Sequence, residues 1–198
     1  MPRVPPPKTH YHVEPLSREE VAALLEQCNR GPTGIRGRAL ITLMYRGMLR
    51  INEALHLRPA DVDFRNGEVR VLHGKGGKAR TIAMNQAGLE LVNHWLEKRH
   101  ERDAMANSNW LFCTLDGKPL DQPYVRKLLK RLKGKAGIVK RVHPHGLRHS
   151  GACEMRRAGV HIAIISKALG HASIATTAIY LDHIAPEDVA EAMRGMTW

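Results

Sequence analysis

Four short segments of the chain carry the side-chain types that act on phosphate esters: arginine, lysine, histidine and tyrosine. In chain order they are Leu49–Leu55, Gly74–Arg80, His145–His149, and Leu169–His171 with Tyr180 nine residues further on. A phosphodiester gathers negative charge on its non-bridging oxygens in the transition state, so its catalysis depends on preorganised cationic donors. Arginine suits this task because its planar guanidinium makes paired hydrogen bonds and stays protonated. The order and spacing of the four segments, rather than any one of them, indicate phosphoryl chemistry.

Together the four segments resemble the tyrosine recombinase family, which includes phage integrases, the Xer recombinases and integron integrases. The resemblance runs from about Leu16 to the C-terminus. It implies a site-specific recombinase or integrase, typical of mobile elements, that cleaves and rejoins DNA strands through a 3′-phosphotyrosine intermediate. The catalytic residues that it implies are Arg50, Lys75, His145, Arg148, His171 and Tyr180. Because the covalent bond conserves the energy of the broken phosphodiester, neither ATP nor a metal is needed, and no cofactor is expected.

The resemblance makes Tyr180 the nucleophile that attacks phosphorus and releases a 5′-hydroxyl. A phenol has a pKa of about 10, so it needs help to lose its proton as it attacks. The expelled oxygen needs a proton in turn, and Lys75 matches the family's donor. Lys75 lies between glycines, which permit a close approach of the loop to DNA.

His145 and Arg148 are three residues apart and should share one face at the start of a helix, where the helix dipole favours a phosphate. By resemblance, Arg50 and Arg148 hold the phosphate, His145 assists proton transfer, and His171 hydrogen-bonds a non-bridging oxygen. Glu53 matches an acid that supports the fold near Arg50 by ion pairing. His149 matches a supporting position and is left out of the catalytic set.

Two features depart from the family pattern. The glycine that usually precedes Leu-Arg in the first segment is replaced by Met48, with Gly47 one position earlier, so the turn there could differ. The N-terminal core-binding domain of typical members is expected to be absent. We expect residues 1–16 to form a proline-rich arm or linker and residues 17–198 the catalytic domain.

Residues 186–198 are expected to form a C-terminal helix or tail. By resemblance, such a tail docks onto a neighbouring protomer, which would give a tetramer on DNA. A helix that folds back onto its own domain is an equal alternative.

The chain carries 31 Lys and Arg against 19 Asp and Glu among 198 residues, a net charge of +12. This surplus favours a polyanionic partner, with double-stranded DNA first, a merely solvated basic surface second and an anionic membrane surface a weaker rival. The candidate DNA-binding residues are Lys78, Arg80, Lys127, Lys130 and Arg131. No apolar run approaches the roughly 20 residues needed to cross a bilayer, so a cytoplasmic protein without membrane contact is expected.

The predicted fold is mainly α-helical with a small antiparallel β-sheet (α+β), as in a tyrosine recombinase catalytic domain. Helices are predicted at 17–29, 36–47, 52–57, 86–99, 123–135, 146–158, 162–169, 173–181 and 186–196. The first should begin with a capping box of Ser17 and Glu20, the second should have Leu40, Leu43 and Met44 on one face, and the helix at 123–135 is strongly basic. Residues 68–72 and 80–84 are predicted to form a hairpin, and 110–112 a brief buried extended segment. The three cysteines lack the spacing of a disulfide or zinc site and are expected to be small buried residues.

Three other functions compete with recombination. A truncated or decayed protein could bind DNA without useful catalysis, and a type IB topoisomerase-like enzyme could relax DNA with similar residues. A metal site is the third alternative, formed by His143, His145 and His149, because an i, i+4 histidine pair can bind zinc or nickel. Arg148 lies between the histidines where its charge would repel a metal, so no metal site is predicted.

Overall fold

The computed structural model describes residues 14–72, 79–171, 173, 177 and 194. Over these residues it confirms a mainly helical fold with a small antiparallel sheet. The helices are α1 (Arg18–Glu26), α2 (Pro32–Tyr45), α3 (Ile51–Leu55), α4 (Gln86–His100), α5 (Asp103–Ala106), α6 (Gln122–Lys135), α7 (Pro144–Arg157) and α8 (Ile162–Leu169). The strands are β1 (Val62–Asp63), β2 (Glu68–Val71) and β3 (Arg80–Ala83), and a 3-10 turn covers Pro59–Asp61.

Helix α2 is the centre of the core. Eleven of its fourteen residues are buried, and it packs against α4 on one side and α7 on another. The sequence predicted one apolar face with Leu40, Leu43 and Met44, but Ile41 is equally buried. A helix that is covered on several sides is apolar around most of its circumference, so α2 can hold the helices that carry the candidate site.

Helix α7 touches α2 closely at Gly151. A Cβ atom added to Gly151 would lie 2.0 Å from the carbonyl oxygen of Tyr45, which is backbone and cannot move aside. A second apolar cluster, in which Met48 packs with residues of α7 and α8, fixes α8 beside the same turn. The C-terminal end of α2 is therefore surrounded by α3, α7 and α8.

The three strands form one sheet in the order β1-β2-β3. The hairpin predicted from the sequence is confirmed, with Val69 opposite Ile82 and Val71 opposite Arg80. Strand β1 was not predicted, because two residues carry too little alternation to be recognised. Residues 73–78 of the loop lie outside the described residues, and the strand that follows it begins at Arg80.

Several predicted boundaries need correction. The predicted capping box of Ser17 and Glu20 is present, but α1 ends at Glu26 rather than Asn29. Helix α2 begins at Pro32 instead of Arg36, since proline is well suited to the first turn of a helix.

The segment 110–112 does not form a strand, although Leu111 and Phe112 are buried as predicted. All three cysteines are buried and reduced, also as predicted. The two helices predicted at 173–181 and 186–196 lie almost entirely outside the described residues. Among the residues that are described, no helix is long and apolar enough to cross a membrane.

Candidate active site

The turn from α2 to α3 sets the position of Arg50. Met48 adopts a left-handed backbone conformation, with φ at 49°, where a glycine would be easier to accommodate. A Cβ atom on Gly47 would lie 2.7 Å from a methyl of Ile82, so Gly47 is needed for close packing rather than for its backbone angles. The left-handed residue is thus at Met48, and Arg50 follows at the N-cap of α3.

Glu53 gathers three arginines around one carboxylate. Its side chain is 2% exposed and accepts from the backbone N–H of Arg50 at 2.7 Å and from Arg50 Nη1 at 2.7 Å. Both terminal nitrogens of Arg80 donate to the two carboxylate oxygens, at 2.9 and 2.8 Å. Arg148 Nη1 lies 3.6 Å from the same group. The ion pair predicted for Glu53 is confirmed in geometry, and it includes two more arginines than the sequence indicated.

Burial would raise the pKa of Glu53, but the arginines reverse the direction. Hydrogen bonds from Arg80 and Arg50, with the charge of Arg80, hold the pKa at about 2. Glu53 is therefore ionised at neutral pH and provides the negative charge that keeps these guanidinium groups together.

Arg148 is buried deep in the site, with 1% of its side chain exposed. Nη1 donates to the carbonyl oxygen of Met48 at 2.5 Å, and Nη2 donates to that of Leu169 at 2.5 Å. These bonds connect α7 to the turn before α3 and to the end of α8. Arg148 is held in one orientation by acceptors from two other parts of the chain.

His171 follows α8 and lies next to Arg148. Its Nε2 is 3.4 Å from Arg148 Nη2, and its Nδ1 is 2.8 Å from the hydroxyl oxygen of Thr177. Burial lowers the pKa of His171 to about 4, with further lowering by the charges of Arg148 and Arg50. His171 is neutral at pH 7, and because an arginine can only donate, Nε2 is the acceptor in this pair. Thr177, which is fully buried, was not singled out from the sequence.

His145 is in the first turn of α7. Although the residue as a whole is exposed, partial desolvation of its imidazole lowers its pKa, and the charges of Arg148 and Arg50 lower it further. Its ring stacks on that of His143 with centroids 6.3 Å apart. Four predicted catalytic residues, Arg50, His145, Arg148 and His171, therefore lie in one positively charged cluster.

Four other predicted site residues are either outside the described residues or bonded within the protein. Lys75, Lys78 and Tyr180 fall outside the described residues. Arg80, predicted to contact phosphate, is 12% exposed and bonded to Glu53, and its Nε donates to the carbonyl of Ala168 at 3.1 Å. Its contacts connect the start of β3 to α3 and to α8.

Three further predicted DNA-binding residues are exposed on α6: Lys127, Lys130 and Arg131. The opposite face of α6 is buried, with Val125 and Leu129 fully inaccessible. The strongly basic helix predicted here is confirmed, and the structure shows in addition that it is amphipathic, with its charges in solvent.

The histidines considered as metal ligands point into different surroundings. His149 is buried next to Cys153, with Nε2 3.6 Å from Sγ, whereas His145 is exposed. Within the described ranges, no group of three or more His, Cys, Asp or Glu side chains is arranged to hold a metal ion.

Comparison with known proteins relates this arrangement to one family. Residues 14–186 match the phage integrase family. The tyrosine recombinase XerA of Pyrococcus furiosus is 39% identical over 168 residues, which cover 83% of this chain and 56% of XerA. The tyrosine recombinase XerD of Corynebacterium glutamicum is 33% identical over 197 residues, covering 97% of this chain and 64% of XerD.

Solved structures agree with this match. A crystal structure of XerA recombinase superposes with a TM-score of 0.81 at 30% identity, over 93% of this chain and 66% of that protein. The XerH site-specific recombinase, bound to palindromic difH substrate in a post-cleavage complex, gives a TM-score of 0.76 at 31% identity. That match covers 91% of this chain and 52% of XerH. The chain thus spans between about half and two thirds of the length of these relatives.

Proposed function

Since this chain belongs to the phage integrase family, we propose that it is a site-specific recombinase that cleaves and rejoins the strands of double-stranded DNA. The observation that carries the proposal is the cluster of Arg50, Arg148, His145 and His171 around the ionised Glu53. The XerH relative in its post-cleavage complex with DNA supports the same class of substrate.

The arginines bind the scissile phosphate. Arg50 is 27% exposed and has one terminal nitrogen on Glu53, which leaves its remaining donors directed outside that pair. Arg148 is oriented by two backbone carbonyls and holds its guanidinium in place before substrate arrives. Donors that are fixed in advance stabilise the charge that develops in the transition state without reorganisation.

His171 is the third phosphate ligand, and the Thr177 hydroxyl is hydrogen-bonded to its Nδ1. In the free protein the neutral ring accepts at Nε2 and donates from Nδ1 to the Thr177 hydroxyl. For Nε2 to donate to a phosphate oxygen, the ring must change tautomer by exchange with solvent: Nδ1 releases its proton to water and Nε2 takes one up. The ring remains neutral, and the Thr177 hydroxyl, which can accept or donate, then donates to Nδ1.

Tyr180 is the proposed nucleophile and Lys75 the proposed acid for the leaving oxygen. The phenol oxygen attacks phosphorus, the bond from phosphorus to the 5′-oxygen breaks, and a 3′-phosphotyrosine and a 5′-hydroxyl result. His145, whose pKa is lowered by partial desolvation of its imidazole and by the charges of two arginines, is suited to take the phenolic proton. The reverse sequence joins a new strand.

The function is tested with a suicide duplex of the element's own ends, nicked so that the cleaved strand cannot be rejoined. We expect an SDS-resistant adduct between protein and DNA, with a free 5′-hydroxyl on the released strand. Specific binding without any adduct would instead favour the DNA-binding protein without catalysis. Relaxation of supercoiled plasmid by a monomer, with no exchange of strands between sites, would favour the topoisomerase-like alternative.

The exposed basic face of α6 is proposed to contact DNA phosphates. Replacement of Lys127, Lys130 and Arg131 by alanine should weaken binding. Log affinity falls as log salt rises, and each lost phosphate contact makes this negative slope less steep by roughly 0.9. For the triple variant the slope should become less steep by up to about 3, as measured by fluorescence anisotropy at several salt concentrations. The double variant Arg65→Ala, Lys98→Ala on other elements is the control. An unchanged slope in the triple variant would remove α6 from the DNA interface.

Assembly on DNA is proposed to be a tetramer in which residues 186–198 dock onto a neighbouring protomer. The family supports this proposal, and the tail itself lies outside the described residues.

A further inference from the structure

The imidazole of His143 caps helix α7, which carries His145 and Arg148. His143 directly precedes the helix with an extended backbone, and its Nδ1 accepts from the backbone N–H of Gly146 at 3.2 Å. The first N–H groups of a helix have no partner within the helix, and an Asp, Asn, Ser or Thr oxygen usually fills that role. Histidine can replace these residues only while one ring nitrogen is unprotonated.

The capping ring lies beside two consecutive residues of the first turn, His145 and Gly146. It stacks on His145 with an interplanar angle of 19°. It also lies directly over Gly146, where an added Cβ atom would be 3.2 Å from Nε2 of His143. A change in the position of this ring would therefore alter the surroundings of His145.

The hydrogen bond from Gly146 fixes the tautomer of the His143 ring. Because Nδ1 accepts from Gly146, the proton of the neutral ring is on Nε2. That atom is buried, and none of the described residues accepts a hydrogen bond from it. A further proton must go to Nδ1, where it would oppose the N–H of Gly146 and break the cap.

The surroundings of His143 disfavour its cation. Burial has the largest effect and lowers the pKa of His143, and the charge of Arg141, with that of His145 when it is protonated, lowers it further. Arg141 precedes the helix and His145 lies in its first turn, and among the described residues these are the charged and titratable groups that act on the ring. The folded protein thus keeps the cap in its neutral form.

We propose that His143 is a positioning residue: its neutral imidazole holds the start of α7, and with it His145 and Arg148, in the geometry for cleavage, and its protonation releases this hold. The catalytic half of this inference rests on the proposed function, whereas the cap and its proton dependence concern folding alone.

The folding half is tested with His143→Ser, because serine caps helices well and does not titrate. Since the folded state disfavours the protonated ring, the unaltered protein should lose stability as pH falls below about 6.5. Urea unfolding gives the equilibrium constant for folding of each protein at pH 7.5 and 5.5. The constant of the unaltered protein divided by that of His143→Ser should be up to roughly tenfold smaller at pH 5.5 than at pH 7.5. A ratio that does not change with pH would overturn the inference. The control is Asn85→Ser, which exchanges one non-titrating cap for another at α4.

The catalytic half is tested by single-turnover cleavage of the suicide duplex over the same pH range. His145 and His171 are present in both proteins, so the ratio of the two cleavage rates isolates the effect of residue 143, including its effect on His145. The rate of His143→Ser relative to the unaltered protein should rise severalfold as pH falls. A cleavage ratio independent of pH would show that the cap does not position the site. Absence of cleavage by both proteins at every pH would overturn the proposed function instead, while the urea ratios still decide the cap.

Discussion

Replacement of Arg148 by lysine is expected to reduce single-turnover strand cleavage by roughly 100- to 1000-fold, the cost of losing one preorganised donor. Lysine retains the charge, but a single ammonium group cannot reproduce the planar fork that bonds to the carbonyls of Met48 and Leu169 together. One of these buried carbonyls would lose its partner. We therefore also expect a loss of about 1–3 kcal/mol in the free energy of unfolding.

The matched control is Arg99→Lys on α4. Arg99 is also 1% exposed and also donates to a backbone carbonyl, that of Ser108 at 2.7 Å, but it is not part of the arginine cluster around Glu53. It should lose a similar amount of stability and cleave normally once the folded fraction is taken into account. Equal losses of cleavage in the two variants would contradict a catalytic role for Arg148.

Replacement of Glu53 by glutamine is expected to have the largest effect on stability, roughly 3–5 kcal/mol, because it leaves buried arginines without their counter-ion. Cleavage should also fall, by about 10- to 100-fold, since Arg50 loses the partner that orients it. Urea unfolding and single-turnover cleavage measure the two losses separately. Glu154→Gln is the control, because Glu154 is bonded to Arg46 and Tyr45 in a more exposed ion pair. Comparable losses in both variants would argue against a special role for Glu53.

Glu53 should also make the free energy of unfolding fall at acidic pH. The pKa of Glu53 is lowered to about 2 in the folded protein, against an ordinary value near 4.5. Its stabilising effect is complete above pH 4.5 and is lost as pH falls towards 2. The Glu53→Gln variant should lack this part of the acid dependence, so the difference in stability between the two proteins should shrink as the pH is lowered.

Local spacing made part of the site predictable. Arg50 and Glu53 are three residues apart, as are His145 and Arg148, and short helices bring such pairs to one side of the chain. The capping box of α1 and the hairpin of β2 and β3 followed from turn and cap residues for the same reason.

Contacts that leave no local signal in the sequence were not predictable in this way. Arg80 reaches Glu53 across 27 positions, and its guanidinium alone would suit a phosphate equally well. Thr177 contacts His171 through a hydroxyl that carries no motif. The left-handed conformation of Met48 is supported by its packing in the second apolar cluster, which no local preference indicates.

We expect cleavage to pass through a covalent bond to Tyr180. The decisive experiment traps the adduct on a suicide duplex, digests the protein and identifies the DNA-bearing peptide by mass spectrometry. We expect the nucleotide remnant on Tyr180, and no adduct from Tyr180→Phe, whose DNA binding is unchanged. An adduct that persists in Tyr180→Phe, or that maps to another residue, would contradict this account.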